Sequence, residues 1–272
     1  MESTTKFIET HSGHQLAITD TGTGKPVLFI PGWPLAGEIF DLQLEFLANN
    51  GFRAIGVTLR GFGSSDKPET NYNFEEFAED IQAVIDSLKL EDLVLCGFSM
   101  GGFIAAYYMA TRRPGKVQKL LLFSCNAPST TTKEDYPFGI TTDAFNGIIA
   151  LIDQDPFTIS NIYGPLFQLD ENTMPVSIGN RINEISRKAS KSAMIKSMIA
   201  TRDTDLRNLL SKISVPTAIF HAVNDNVIPY QIAEKAHELI PGSTLTTFEK
   251  GGHWIFLLEQ EKFNTELLRF IS

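Results

Sequence analysis

Apolar and polar positions follow two different periods along this chain. Five short runs are almost continuously apolar and end at turn residues, as strands do when both faces of a sheet are covered. They read KPVLFI, RAIGVTL, DLVLCG, VQKLLLFSC and VPTAIFHAV. The segments between them place apolar residues at a helical spacing and include DLQLEFLANN, NFEEFAEDIQAVIDSLKL, GFIAAYYMATRR and QIAEKAHELI. This alternation predicts an α/β fold with a mostly parallel sheet and helices on both faces.

Two regions depart from that alternation. The N-terminal stretch KFIETHSGHQLAITDTGTG alternates with a period of two around Ser-Gly and Thr-Gly turns, which predicts an antiparallel hairpin at one edge of the sheet. Residues 126–210 carry helical patches without evident strands and are too many for a simple loop. We therefore expect a core of residues 1–125 and 211–272 and a helical cap of residues 126–210 over a pocket. The alternative is a helical decoration with no role in substrate choice.

Composition narrows the class of protein. The 272 residues can bury a full core in one domain, and the net charge of −9 disfavours nucleic acid and anionic membrane surfaces as partners. The sequence shows no signal-peptide pattern and no apolar run of membrane-spanning length. Its two cysteines, Cys96 and Cys125, end apolar runs and are interpreted as reduced core residues. These features predict a cytoplasmic protein, and they leave its oligomeric state open.

One serine stands between glycines where an apolar strand turns into a helix. Gly97-Phe98-Ser99-Met100-Gly101 matches G-x-S-x-G, the sharp turn that exposes a nucleophilic serine at the edge of a sheet. Such a serine adopts a strained backbone conformation, and its neighbours two places away must be small. The alternative is an ordinary strand-to-helix turn with a capping serine.

A nucleophilic serine needs a general base that is oriented by a carboxylate. In folds with the G-x-S-x-G turn, the chain order is Ser, acid, His. Asp225 comes directly after the run VPTAIFHAV, and His253 follows paired glycines in EKGGHW. We predict Ser99, Asp225 and His253 as catalytic residues, although Asp225 could be a turn residue or a helix cap. Backbone N–H groups of Met100 and Trp33 are the candidate donors of an oxyanion hole.

The motifs PGWPLAG, GFGSSDKP and GFSMGG together resemble the α/β-hydrolase superfamily, and the likeness covers nearly the whole chain. Within it, the chain is similar to the branch of arylesterases and cofactor-free haloperoxidases, which hydrolyse esters and often perhydrolyse short carboxylic acids. The resemblance implies the same three catalytic residues and two oxyanion donors, and it associates Pro34 with perhydrolase behaviour. The chain departs from the family at Pro31 and Phe98, where the family usually has His, and at Thr58, where it commonly has Asp.

The sequence therefore predicts a serine hydrolase that cleaves a carboxylic ester of a small, largely apolar substrate through an acyl-enzyme. No motif indicates a metal or a cofactor. The expected pocket residues are Pro34, Phe98, Phe138, Phe145, Phe157 and Phe167. Two other hypotheses about the function remain open. The first is a lactonase or a perhydrolase that uses the same residues, and the second is a ligand-binding signalling protein with a slow or idle triad.

Overall fold

The computed structural model describes residues 4–112, 115–156 and 174–272. Within these ranges, eight strands form one sheet. In chain order they are β1 (Thr4–Glu9), β2 (Gln15–Gly22), β3 (Lys25–Ile30), β4 (Phe52–Val57), β5 (Leu93–Phe98), β6 (Val117–Phe123), β7 (Thr217–Ala222) and β8 (Thr244–Phe248). Their order across the sheet is β1-β2-β4-β3-β5-β6-β7-β8.

The pairing of the strands confirms a mostly parallel sheet with an antiparallel hairpin at its N-terminal edge. Strands β1 and β2 pair antiparallel, as do β2 and β4, and every pair from β3–β4 to β7–β8 is parallel. The five apolar runs of the sequence are the strands β3 to β7. Strand β8, at the opposite edge, is rich in threonine and mostly half-buried, so no continuous apolar run marks it in the sequence.

Helices cover both faces of the sheet. They are α1 (Asp41–Asn49), α2 (Phe74–Ser87), α3 (Met100–Arg112), α4 (Thr142–Gln154), α5 (Val176–Ser186), α6 (Lys191–Asp203), α7 (Tyr230–Leu239), α8 (Ile255–Leu258) and α9 (Gln260–Ile271). Alternate residues of β5 enter two separate buried clusters. Leu95 packs with apolar residues of α2 and α3, whereas Val94 and Cys96 pack with those of α1 and α9. The sheet is thus a middle layer with apolar side chains on both faces, which is why its strands read as continuous apolar runs.

The helices α4, α5 and α6 lie between β6 and β7 in the chain. This segment is tied to loops at the carboxyl end of the sheet, where the Ser190 N–H donates to the Gly61 carbonyl at 2.9 Å. The Arg181 guanidinium also bonds to Asp41 at 2.6 Å. The division into a core and a cap at residues 126 and 210 stays a prediction. None of the described helices is both long and apolar enough to cross a membrane.

Candidate active site

Ser99 occupies the turn between β5 and α3. Its φ is +52°, in the left-handed region that side-chain-bearing residues rarely adopt. The Ser99 N–H donates to the Phe123 carbonyl of β6 at 3.1 Å, and the Ser99 carbonyl accepts from the Phe103 N–H at 3.1 Å. These bonds hold the residue between the last residue of a strand and the first turn of a helix, with its side chain partly exposed.

Three glycines leave room for this turn. A Cβ on Gly97 would stand 2.4 Å from the Gly101 carbonyl oxygen, and one on Gly102 would stand 2.7 Å from the Cys125 sulfur. A Cβ on Gly101 would meet the Ile30 carbonyl oxygen at 2.2 Å. The space at Gly97 is therefore limited by the bend itself, whereas at Gly101 it is limited by the end of the neighbouring strand β3.

Asp225 and His253 form a buried hydrogen-bonded pair. Asp225 follows β7, and its Oδ1 accepts from the backbone N–H groups of Val227 and Ile228 at 2.8 and 2.9 Å. Its Oδ2 lies 2.8 Å from His253 Nδ1. Burial raises the pKa of the Asp225 carboxyl. The charge and hydrogen bond of His253 and the hydrogen bond from the Ile228 N–H outweigh burial, so the pKa of the Asp225 carboxyl falls below its usual value. The carboxylate thus stays ionised beside the imidazole.

A second histidine lies against the same carboxylate. His221, in β7, is fully buried, and its Nε2 lies 2.8 Å from the Ile228 carbonyl oxygen and 3.4 Å from Asp225 Oδ2. The carbonyl can only accept, so this nitrogen carries a proton. Burial lowers the pKa of His221. A neutral His221 is a packed and hydrogen-bonded residue of the strand, and it does not line the pocket described next.

A pocket of about 170 Å³ opens beside Ser99 and His253. Its wall is mostly apolar and comes from both the sheet edge and the segment between β6 and β7. The described lining residues are Trp33, Phe98, Ser99, Met100, Asn126, Thr130, Gly139, Ile140, Phe145, Ile148, Met198, Thr201, Asn226, Val227, Ile228, Pro229, Ile232, His253 and Trp254. Asp225 is buried outside the lining, on the Nδ1 side of the His253 ring. The pocket thus reaches the serine and the imidazole and leaves the carboxylate covered.

The predicted oxyanion donors both border this pocket. Met100 is the first residue of α3, so its N–H belongs to the helix terminus that has no intrahelical acceptor and carries partial positive charge. Trp33 lies in the loop after β3, and its indole Nε1 donates to the Met194 carbonyl of α6 at 3.2 Å. The side chain of Trp33 is therefore engaged with the segment between β6 and β7.

The predicted pocket residues fall into three groups. Phe98 and Phe145 line the pocket, and the Phe98 ring also packs against His253 with ring centroids 4.9 Å apart. Pro34 is buried in the loop after β3 and is not among the lining residues. Phe138 packs edge-on against Tyr136 and is also not among the lining residues. Phe157 and Phe167 lie outside the described residues.

Several lining residues have no counterpart in the sequence prediction. Trp254 and the stretch 226–229 directly follow His253 and Asp225, so proximity in the chain could have indicated them. Met198 and Thr201 line the pocket because of the way α6 is oriented about its own axis. No pattern in the sequence predicts that orientation. Among the described residues, no three His, Cys, Asp or Glu side chains are grouped to hold a metal ion.

Comparisons with known proteins agree with this architecture. A family model described as alpha/beta hydrolase fold matches residues 25–260. The AB hydrolase superfamily protein YisY of Bacillus subtilis (strain 168) is 38% identical over 265 residues, which are 97% of this chain and 98% of that protein. The non-heme chloroperoxidase of Streptomyces lividans is 30% identical over 272 residues, covering 97% of this chain and 99% of that protein. The solved structure of an esterase (EaEST) from Exiguobacterium antarcticum has a TM-score of 0.95 at 39% identity, over 98% of this chain and 99% of that one. These matches confirm the resemblance seen in the sequence motifs: the chain belongs to the α/β-hydrolase family, in its branch of esterases and non-heme haloperoxidases.

Proposed function

We propose that this hydrolase cleaves carboxylic esters through an acyl-enzyme formed on Ser99. The observation that carries the proposal is the buried Asp225–His253 pair, joined at 2.8 Å, whose imidazole borders the same pocket as the serine in its left-handed turn. An alcohol is a weak nucleophile, and a base that is itself oriented by a carboxylate is what activates it.

In the proposed reaction, His253 Nε2 takes the proton of Ser99 Oγ as that oxygen attacks the ester carbonyl carbon. The N–H groups of Trp33 and Met100 bind the oxyanion of the tetrahedral intermediate. When the intermediate collapses, the imidazolium returns the proton to the departing alkoxide, which leaves as the alcohol. Water then attacks the acyl-enzyme, with His253 as base again, and releases the carboxylic acid and free Ser99. Asp225 fixes the ring orientation and stabilises its cation.

The pocket supports a small and uncharged substrate. None of its described lining residues is Asp, Glu, Lys or Arg, so a charged substrate group would lose its hydration without gaining an ionic partner. The volume of about 170 Å³ suits a short acyl or aryl group. We further propose that residues 126–210 act as the cap that selects this group, because Phe145, Ile148 and Met198 border the pocket from that segment.

An ester panel tests this proposal. We expect repeated turnover of p-nitrophenyl acetate and butyrate, and a kcat/KM lower by at least about tenfold for an otherwise matched ester that carries a carboxylate. Preference for the charged ester would refute the assigned substrate class. Tight binding of a neutral ester with a single turnover would favour the ligand-binding signalling protein instead.

Perhydrolysis is a second candidate, favoured by the 30% identity to a protein named non-heme chloroperoxidase. Hydrogen peroxide would replace water in the second half-reaction, so that its oxygen bonds to the acyl carbon, the Ser99 ester bond breaks and a peroxycarboxylic acid leaves. Acetic acid with hydrogen peroxide tests this directly, because Ser99 would be acetylated as water leaves and peroxide would then take the acetyl group. Peracetic acid formed by the wild type and absent with Ser99→Ala would support it, and its absence with both would exclude it.

A further inference from the structure

One polar side chain in the apolar pocket has an unused hydrogen-bonding atom. Asn126 follows β6, is 3% exposed and lines the pocket. Its Nδ2 donates to Thr130 Oγ1 at 2.8 Å. Its Oδ1 is buried and has no hydrogen-bond partner among the residues that the structure describes. The amide is therefore held by one end and offers an acceptor at the other.

The strand pairing places this acceptor near the reacting serine. Strands β5 and β6 are parallel neighbours, and Phe98 pairs with Phe123 at their last residues. Ser99 and Asn126 thus leave the sheet at the same edge and border one pocket. The wall around them includes Phe145, Ile148 and Ile228. A buried acceptor among apolar groups is costly unless something bonds to it, and such isolated polar groups fix the orientation of ligands in apolar pockets.

The other hydroxyls of the pocket are already engaged. Thr201 Oγ1 donates to the Ser197 carbonyl at 2.9 Å within α6. Thr130 Oγ1 accepts from the Asn126 amide. Asn126 Oδ1 differs from both, because it is buried and takes part in no hydrogen bond among the described residues.

We infer that Asn126 determines specificity by accepting a hydrogen bond from the substrate. The preferred substrate is then an ester that carries one hydroxyl or amide N–H on an otherwise apolar chain. This inference rests on the proposed ester hydrolysis at Ser99, and it narrows the substrate class by adding one donor to an uncharged molecule.

Matched esters test the inference. The first series varies the acyl chain: ethyl butanoate is unsubstituted, ethyl 3-hydroxybutanoate carries a hydrogen-bond donor, and ethyl 3-methoxybutanoate carries only an acceptor. The second series varies the alcohol side, where 2-hydroxyethyl butanoate carries the donor and 2-methoxyethyl butanoate carries only an acceptor. In at least one series, the wild type should show a kcat/KM about tenfold higher for the hydroxyl ester than for its methoxy partner, the effect of one hydrogen bond to a buried group. Asn126→Leu, similar in size and without the acceptor, should reduce this ratio to about one. Asn264→Leu, at a buried asparagine of α9 outside the pocket lining, should leave the ratio within about twofold of wild type.

The outcomes separate the two proposals. If the wild type turns over none of the esters, ester hydrolysis itself fails. If it turns over the plain and the substituted esters without preferring the hydroxyl in either series, or prefers the methoxy ester, only the role of Asn126 is overturned. The wild-type ratios decide this even where Asn126→Leu does not fold. An unchanged hydroxyl preference in a folded Asn126→Leu variant, checked by its cooperative thermal unfolding, also overturns it.

Discussion

Two serines end neighbouring parallel strands of this sheet in nearly the same backbone conformation. Ser99, after β5, has a φ of +52°, and Ser124, after β6, has a φ of +44°. Each donates its N–H to a carbonyl of the next strand, Ser99 to Phe123 of β6 and Ser124 to Phe220 of β7. The backbone at the two positions thus follows one pattern.

Their surroundings differ completely. Ser99 is partly exposed, borders the pocket together with His253 and has glycine two residues before and after it. Ser124 is fully buried, its hydroxyl has no hydrogen-bond partner among the described residues, and Leu122 and Asn126 stand two residues away. A left-handed serine at a strand end therefore does not by itself predict a nucleophile. The glycines, the open pocket and the nearby imidazole distinguish Ser99.

The largest expected effect is on catalysis. Ser99→Ala should reduce kcat for a p-nitrophenyl ester by about 10³-fold or more, since the nucleophile is lost. Ser124→Ala removes a buried hydroxyl outside the pocket and should leave kcat within about threefold of wild type. Steady-state kinetics on both variants measures the contrast. Equal loss in the two variants would mean that the turn, rather than the Ser99 hydroxyl, supports activity.

Next in size is the effect of the carboxylate behind His253. Asp225→Asn keeps the shape of the side chain but removes its charge and favours the wrong imidazole tautomer, so kcat should fall about 10³-fold. Asp135→Asn, at an exposed carboxylate paired with Arg207, should change kcat less than about twofold. A nearly unaffected Asp225→Asn enzyme would show that His253 does not depend on this partner.

The glycines around Ser99 should matter for stability. Gly101→Ala would place a Cβ 2.2 Å from the Ile30 carbonyl oxygen. We expect it to lower the free energy of unfolding by about 3 kcal/mol or more. Gly147→Ala, in the exposed part of α4, meets no atom within 4 Å and should raise the same quantity by about 0.5–1 kcal/mol. Urea denaturation compares the two, and a stable Gly101→Ala protein would contradict the tight approach of α3 to β3.

The smallest effect concerns His221, a buried histidine that does not border the pocket. Burial lowers its pKa below 6.5, so as the pH falls below 6.5 the unfolded chain binds a proton that the folded chain does not. The contribution of His221 to the free energy of unfolding is fully present above pH 6.5 and decreases below it. His221→Gln should remove this pH-dependent contribution. Between pH 7 and 5, the free energy of unfolding of the wild type should therefore fall by about 1 kcal/mol more than that of the variant. Denaturation at both pH values measures it, and identical losses would contradict a neutral His221.

The sequence predicts the fold well where burial leaves a periodic pattern. Strands β3 to β7 are covered on both faces, so their apolar runs are unmistakable, and the G-x-S-x-G turn can be recognised because few residues other than glycine fit beside it. Strand β8 is not predicted in this way, because it is an edge strand with half-buried threonines and has no continuous apolar run.

Prediction of the pocket from sequence is less complete. Phe145 was expected in the lining and lies there, whereas Phe138 packs against Tyr136 instead. Both are aromatic residues of the segment between β6 and β7, and only the packing of that segment decides which of them meets the pocket. Asn126 is a sharper case, because its free Oδ1 becomes visible only when the partner of every neighbouring polar atom is known.

The proposed function requires that His253 activates Ser99 and no other hydroxyl. A fluorophosphonate probe followed by peptide mapping tests it most directly, because the phosphorus bonds to an activated serine oxygen as fluoride leaves. We expect labelling at Ser99 in the wild type and in Ser124→Ala, and none at any serine in Ser99→Ala or His253→Ala. Labelling at Ser124, or undiminished labelling of Ser99 in His253→Ala, would contradict it.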